Sequence, residues 1–402
     1  MYWMLTTLAA VSIGSVSAFF LISLDQVTHF RQQHPLMVWT LPVSGALIGW
    51  AYYQWGNTVK AGNNLIIQEY HQADRPIPFR LLPMVLLATL LTHLSGGSAG
   101  REGTAVQMGA AIGDQIGARF GIHHAFRKGF LVVGISAGFA SVFGTPLAGA
   151  IFALEVLAIG QIRLAALLPA LYAAILAHYT CLAWGAQHTA YPSIESFSFN
   201  YGHIFWVAAA GVLFGLTARL FSHTTQSLSQ FFEKFIPSPP LRPVLGGLLL
   251  ALLFSIPGSQ VFMGLGIPGI ELAFEQNAPA FHFLIKLGLT ALTLAAGFKG
   301  GEVTPLFFIG ATLGSALFVI IPLPLALLAA LGFAAVFAGA THTPIASTLM
   351  AIELFGPQTA WYFALACAMA YAVSGHKGIY HHQPIAQVKP SFLKLKSQSR
   401  SK

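Results

Sequence analysis

Residues 96–105 read "GGSAGREGTA". The stretch sets an arginine and a glutamate, Arg101 and Glu102, into a glycine-rich turn flanked by apolar sequence. Such a turn leading into a helix leaves the first backbone N–H groups of that helix unpaired. The positive end of the helix dipole points the same way. A helix N-terminus of this kind is an anion site, and a carboxylate placed there competes with the anion. Ionised, Glu102 would fill the site; protonated, it would leave and admit the anion. One side chain would then be both gate and proton carrier.

The setting is a membrane. Of 402 residues, 55% are hydrophobic and 8% charged, with mean hydropathy +0.70; a soluble domain carries about a quarter charged residues. Apolar runs recur at 4–24, 37–55, 81–94, 129–160, 164–184, 204–218, 243–256, 282–298, 305–340 and 359–374. They lack the two-residue alternation of membrane strands, so helices are expected. Many fall short of the ~20 residues of a simple span and are cut by Gly or Pro. The first run has no Lys or Arg ahead of it, as a signal peptide would, and is read as a membrane helix. Non-helical backbone at membrane depth lines a cavity or is buried in protein, and an intramembrane carboxylate is a functional candidate.

The net charge of +8 is gathered in "HKGIYHHQPIAQVKPSFLKLKSQSRSK", which holds six Lys or Arg and no acid. By the positive-inside tendency this tail is cytoplasmic. Residues 185–202 have no Lys or Arg and are expected outside. No compact basic domain suggests nucleic acid as a partner. The two cysteines, Cys181 and Cys367, have neither disulfide nor metal spacing, and no cofactor or metal is expected. His381-His382 reads as a solvated pair.

The glutamate motif occurs twice. "GREGTAVQMGAAIG" (100–113) resembles "GGEVTPLFFIGATLG" (300–314), so that Glu102 meets Glu302 and Thr104 meets Thr304. A second pair, "GISAGFASVFGTPLAGAIFALEV" (134–156) and "GFAAVFAGATHTPIASTLMAIEL" (332–354), aligns Thr145-Pro146 with Thr343-Pro344 and Glu155 with Glu353. Glu155 and Glu353, at helix ends, read as packing or capping groups. The chain therefore divides into two related membrane halves, 1–199 and 200–375, with a basic tail at 376–402. Halves of opposite orientation with broken helices are a transporter signature, the site lying where the broken segments meet. "AGNNLIIQEYH" (61–71) is a third turn-to-helix entry, with Asn63 and Asn64 as amide donors. "FMGLGIPGIELAF" (262–274) is its counterpart without a side-chain donor and reads as structural. "GGSAG" also fits the G-x-S-x-G of a serine hydrolase, with Ser98 and nearby His93; the Arg-Glu pair and the repeat leave that reading remote.

These motifs, in this order, resemble the CLC family of chloride channels and proton-coupled antiporters. The resemblance implies an all-α polytopic membrane fold of about eighteen tilted, broken helices in two inverted halves. It also implies a homodimer with cytoplasmic termini. Where the family has "GSGIP", whose Ser donates to the central anion, this chain has "GNNLI", which puts Asn63 in its place. The family's "GxFxP" is "GEVTP" here, with Glu302, Val303 and Thr304. The inner proton-relay glutamate that would follow Glu155 is Val156. "HKGIY" retains a central-site tyrosine, Tyr380. This set is similar to the fluoride-exporting branch, so the resemblance implies a proton-coupled fluoride exporter, not an enzyme, in a bacterial inner membrane. Glu102 and Glu302 would handle protons and gating. Asn63, Thr304, Tyr380, Gly103 and Val303 would bind the anion, and Phe307 and Phe308 would offer positive ring edges. Fluoride is strongly hydrated, so a site must replace its water with hydrogen bonds. A chloride/proton antiporter or a chloride channel is the alternative.

Overall fold

The computed structural model describes residues 1–72, 75–121, 124–194 and 201–389. Of the tail's basic residues, Lys394, Lys396, Arg400 and Lys402 lie outside them. The described residues form sixteen α-helices and no strand, only two isolated β-bridges. The first eight are α1 (Tyr2–Gln33), α2 (Leu41–Trp55), α3 (Asn63–Gln72), α4 (Leu81–Leu94), α5 (Glu102–Arg119), α6 (His124–Phe143), α7 (Pro146–Glu155) and α8 (Leu167–Ala183). The others are α9 (Tyr201–Phe235), α10 (Leu241–Phe254), α11 (Ile267–Glu275), α12 (His282–Ala295), α13 (Val303–Leu317), α14 (Leu325–Thr341), α15 (Pro344–Phe355) and α16 (Ala360–Val373). Sixteen is slightly fewer than the expected eighteen or so, and the segment carrying Tyr380 is irregular rather than helical.

Among the described residues, only α1, α9 and the stretch Leu164–Ala183 are long and apolar enough to cross a bilayer alone. The shorter helices survive because their ends are buried in protein. Glycine lets them approach. α5 crosses α6 with Gly109 and Gly113 against Gly134, and α13 crosses α14 with Gly310 against Gly332. A Cβ at any of these positions would run into a backbone carbonyl of the partner helix. Small residues at helix contacts are how membrane helices gain close packing where apolar burial gives no drive.

Helix starts inside the bundle leave donors to satisfy, and two glutamates do this across the repeat. Glu155, at the end of α7, accepts from the N–H groups of Ile345 (3.1 Å) and Ala346 (2.8 Å) in the first turn of α15. Glu353, near the end of α15, accepts from Leu147 (2.9 Å) and Ala148 (2.8 Å) in the first turn of α7. Each helix thus caps the other, with a negative charge at each positive dipole end. This is the capping role expected of both residues. Next to Glu155, the Val156 carbonyl accepts from Gln383 Nε2 (2.7 Å).

Loss of this cap has a definite cost. Glu155→Ala is expected to destabilise the fold by about 1–2 kcal/mol, the range for a lost helix cap, with Glu155→Gln in between. Thermal unfolding of the detergent-solubilised protein measures it, and an unchanged midpoint for Glu155→Ala would refute the capping role.

Candidate functional site: the crossing of two broken segments

The two glycine turns that carry the glutamates meet. Gly100 and Gly301 form an isolated antiparallel bridge, with Gly100 N–H to Gly301 O at 2.6 Å and Gly301 N–H to Gly100 O at 2.8 Å. This exchange satisfies backbone groups that neither helix can. It also leaves no room for side chains. A Cβ on Gly301 would lie 2.8 Å from Gly103 N, and one on Gly100 2.9 Å from Pro305 Cδ.

From this crossing α5 and α13 start, and Glu102 reaches from one to the other. Its carboxylate is 1% exposed. The Thr304 hydroxyl lies 2.8 Å from Oε1 and 2.7 Å from Oε2, and the Thr304 N–H donates to Oε2 at 3.1 Å. The Arg101 N–H donates to Oε2 at 3.3 Å, and Arg101 Nε is 3.7 Å from Oε1. The carboxylate therefore sits where the sequence places a competing anion, on the donors of a helix N-terminus. Arg101 also turns outward, its Nη2 donating to Thr189 (3.3 Å). The shorter contacts of Glu102 are those to Thr304, and those to its neighbour Arg101 are longer.

Asn63, Gly103 and Glu302 surround the other side of the crossing. Asn63 Nδ2 lies 3.1 Å and Glu302 Oε2 3.7 Å from where a Gly103 Cβ would stand. Asn63 Oδ1 and Glu302 Oε2 are buried without a hydrogen-bond partner. Asn64 is elsewhere engaged, accepting from the His382 N–H at 3.2 Å. Glu302 and Asn63 line a cavity of about 1030 Å³ together with Tyr380, Gln107, Lys299 and Tyr52. Tyr380 is buried and held by the Ile379 N–H bonded to Ala340 O (2.9 Å). Lys299 and Tyr52 were not legible as site residues. Lys299 Nζ stands 4.5 Å from the Tyr52 ring centroid, which places a cation at the vestibule within electrostatic reach of Glu302. His381 and His382 are exposed, as expected.

The remaining candidates separate. Val303 is buried in the first turn of α13. Phe307 points into an aromatic core, stacked on Phe333 at 4.0 Å and 5° and tilted against Phe143. Phe308 lies against Phe262, under Lys286. Neither ring faces the vestibule lining. Ser98 Oγ is 2.9 Å from Thr290 Oγ1, while both His93 nitrogens face carbonyls, of Thr89 (2.9 Å) and Ala99 (3.1 Å). Ser98 and His93 do not bond each other, so the hydrolase reading of "GGSAG" has no geometry behind it.

Gly301→Ala is expected to lower the unfolding temperature and to disrupt the crossing, since its Cβ meets backbone rather than a movable side chain; overpacking of this kind costs about 1–3 kcal/mol. An alanine variant as stable and as active as the parent would show that the crossing is looser than its geometry implies.

The chain is similar to proteins of known family. A chloride/fluoride channel protein of Pseudomonas syringae pv. tomato is 50% identical over 391 residues, covering 96% of this chain and 86% of its own. A voltage-gated ClC-type chloride channel of Salmonella dublin is 30% identical over 311 residues, 73% of each chain. A crystal structure of a CLC-type fluoride/proton antiporter superposes with a TM-score of 0.92 at 36% identity, covering 95% of this chain and 97% of its own. A slow cyanobacterial Cl⁻/H⁺ antiporter shares the fold, with a TM-score of 0.81 at 21% identity over 94% of this chain and 96% of its own. The model of the family described as "Voltage gated chloride channel" matches residues 44–375, and the chain, a multi-pass membrane protein, belongs to the CLC family.

Proposed function

We propose that the protein is a fluoride/proton antiporter, a secondary active transporter that exports fluoride from a bacterial cell against entering protons and confers fluoride resistance. One observation carries this reading. Glu102 occupies the helix N-terminal donors of Thr304, and a second buried carboxylate, Glu302, stands on the vestibule side of the same crossing. A carboxylate that leaves these donors on protonation exchanges a proton for an anion at one place. Glu302 takes the second proton-handling role at a site where the inner position is Val156. Asn63, Thr304 and Tyr380, with the backbone at Gly103 and Val303, replace the water of a small anion with amide and hydroxyl donors. In this reading the two halves are inverted repeats, the protein is a homodimer in the inner membrane, and the vestibule beside Tyr380 opens to the cytoplasm, where both termini lie.

The relative named a chloride/fluoride channel protein and the 36% identical fluoride/proton antiporter support fluoride as the substrate. The second reading, a chloride/proton antiporter, is favoured by the wider family. It is weakened by Asn63 in place of a serine and by the missing inner glutamate.

Purified protein in liposomes loaded with fluoride, and separately with chloride, decides between them. Fluoride efflux accompanied by uphill proton uptake is expected, with proton uptake abolished in Glu102→Gln. Chloride efflux as fast as fluoride efflux would refute the fluoride reading, and anion flux without proton movement would make the protein a channel. In the same assay Thr304→Val removes a hydroxyl donor to a charged group, worth about 1.5–3 kcal/mol. It is expected to lower fluoride exchange by about 10- to 100-fold; exchange unchanged in that variant would remove Thr304 from the anion path.

A further inference from the structure

Two cations, one buried and one half-buried, lie together away from the Glu102 crossing, with no acid beside them. Lys286, on α12, is 0% exposed. Its Nζ donates to the carbonyls of Phe262 (3.0 Å) and Gly264 (2.8 Å) and lies 5.3 Å from the Phe308 ring centroid. Arg31 reaches the same loop from the last turn of α1. Its Nη2 lies 3.6 Å from where a Gly264 Cβ would stand, and its Nη1 3.7 Å from the equivalent point on Gly96. Arg31 Nε is buried without a hydrogen-bond partner. His93 completes the wall, its Cδ2 3.7 Å from the Gly264 position. Among the described residues, no carboxylate pairs with Arg31 or Lys286.

The backbone between them has the form of an anion cradle. Gly264 (φ +55°) and Gly266 (φ +77°) are left-handed, on either side of Leu265. Alternating hand turns successive N–H groups toward one concavity. The N–H groups of Gly264, Leu265, Gly266 and Ile267 donate to no acceptor among the described residues, while the Phe262 and Gly264 carbonyls are taken by Lys286. Gly266 then caps α11, adding the positive end of a helix dipole. This is the stretch 262–274, in which the sequence alone offers no side-chain donor; the fold brings two from α1 and α12. Buried charges are normally paired, and here the negative partner is missing.

We propose that Arg31, Lys286 and the 264–267 backbone form a second binding site for a small monovalent anion, fluoride or chloride, on the side opposite the vestibule. Its position fits a station on the exchange path. Phe308, under Lys286, is one turn beyond Thr304 on α13, about 6 Å along the axis. α2 separates the end of the bundle that holds Arg31 from the vestibule rim at Tyr52, about 22 Å for its length. The site stands on its own geometry and does not depend on which halide is carried.

Right-side-out and inside-out membrane vesicles from expressing cells test it, because they present opposite faces of the intact protein to added halide. Arg31→Gln and Lys286→Met are expected to raise the half-saturating fluoride concentration on the Arg31 side by about tenfold or more, a loss of about 1.4 kcal/mol. The vestibule-side value and the maximal rate should stay near those of the parent, and Arg31→Lys should retain most of the affinity. Half-saturation unchanged on the Arg31 side, or changed equally on both sides, would overturn the proposal and leave the two cations as braces for the loop. If Lys286→Met does not fold, Arg31→Gln, at a partly exposed helix end, decides alone. If the parent carries chloride and not fluoride, the function proposed above fails, and the same two-sided titration with chloride judges this site separately.

Discussion

The reciprocal pair of hydrogen bonds between Gly100 and Gly301 is the constraint on which the rest depends. Two helices that begin in the middle of a membrane protein each expose unpaired N–H groups, and neither can be solvated by lipid. Pairing the two turns satisfies the backbone at the break and leaves the first turn of each helix free to act on something else. The glycines follow from this, since a side chain at Gly100 or Gly301 would strike backbone or Pro305. So does the position of Glu102, which leaves its own helix start and lands on the neighbouring one.

The same problem has a different solution at α7 and α15. There the donors of each helix start are closed by a carboxylate from the end of the other helix. The chemistry is alike, a carboxylate on helix N–H groups, but the consequences differ. Glu155 and Glu353 are each bound by two backbone donors of a static contact between short helices. Glu102 has a threonine hydroxyl among its donors, and a partner-less Glu302 oxygen and Asn63 carbonyl stand on the far side of the turn. A permanent cap leaves nothing unsatisfied, whereas a site that must exchange its occupant keeps polar atoms in reserve.

How much of this could be read from the chain depends on how local the signal is. The glycine turns, the Thr-Pro helix starts and the four glutamates are short motifs whose chemistry is carried by neighbours in sequence, and the repeat places them in register. The fold class follows from composition and from apolar runs too short to span alone. What escapes is everything assembled from distant helices. Nothing in the sequence puts Arg31 beside Lys286, or Lys299 over Tyr52. Nor does it tie Asp114 to Arg127, a buried pair joined at 2.6 Å that also holds the Ile77 N–H. The surroundings of Phe307 are another case: its position after "GEVTP" suggests the anion path, and the fold adds a stacked partner, Phe333 of α14, that the sequence does not announce.

The cations show why a pathway for anions can be built in so apolar a chain. Buried Lys and Arg are costly when alone, and the described structure does not pair Lys286, Arg31 or Lys299 with acids at close range. Carbonyls, ring faces and glycine-rich backbone moderate their charge without cancelling it. Lys299 stands on the vestibule side of the crossing and Lys286 with Arg31 on the other, so positive potential brackets the one deeply buried carboxylate that spans it. In the proposed exchange, an anion entering from either end would meet a cationic side chain before it meets Glu102. In that exchange, the carboxylate would stay on Thr304 until a proton removes its charge, and that competition for one set of donors would couple the two ions.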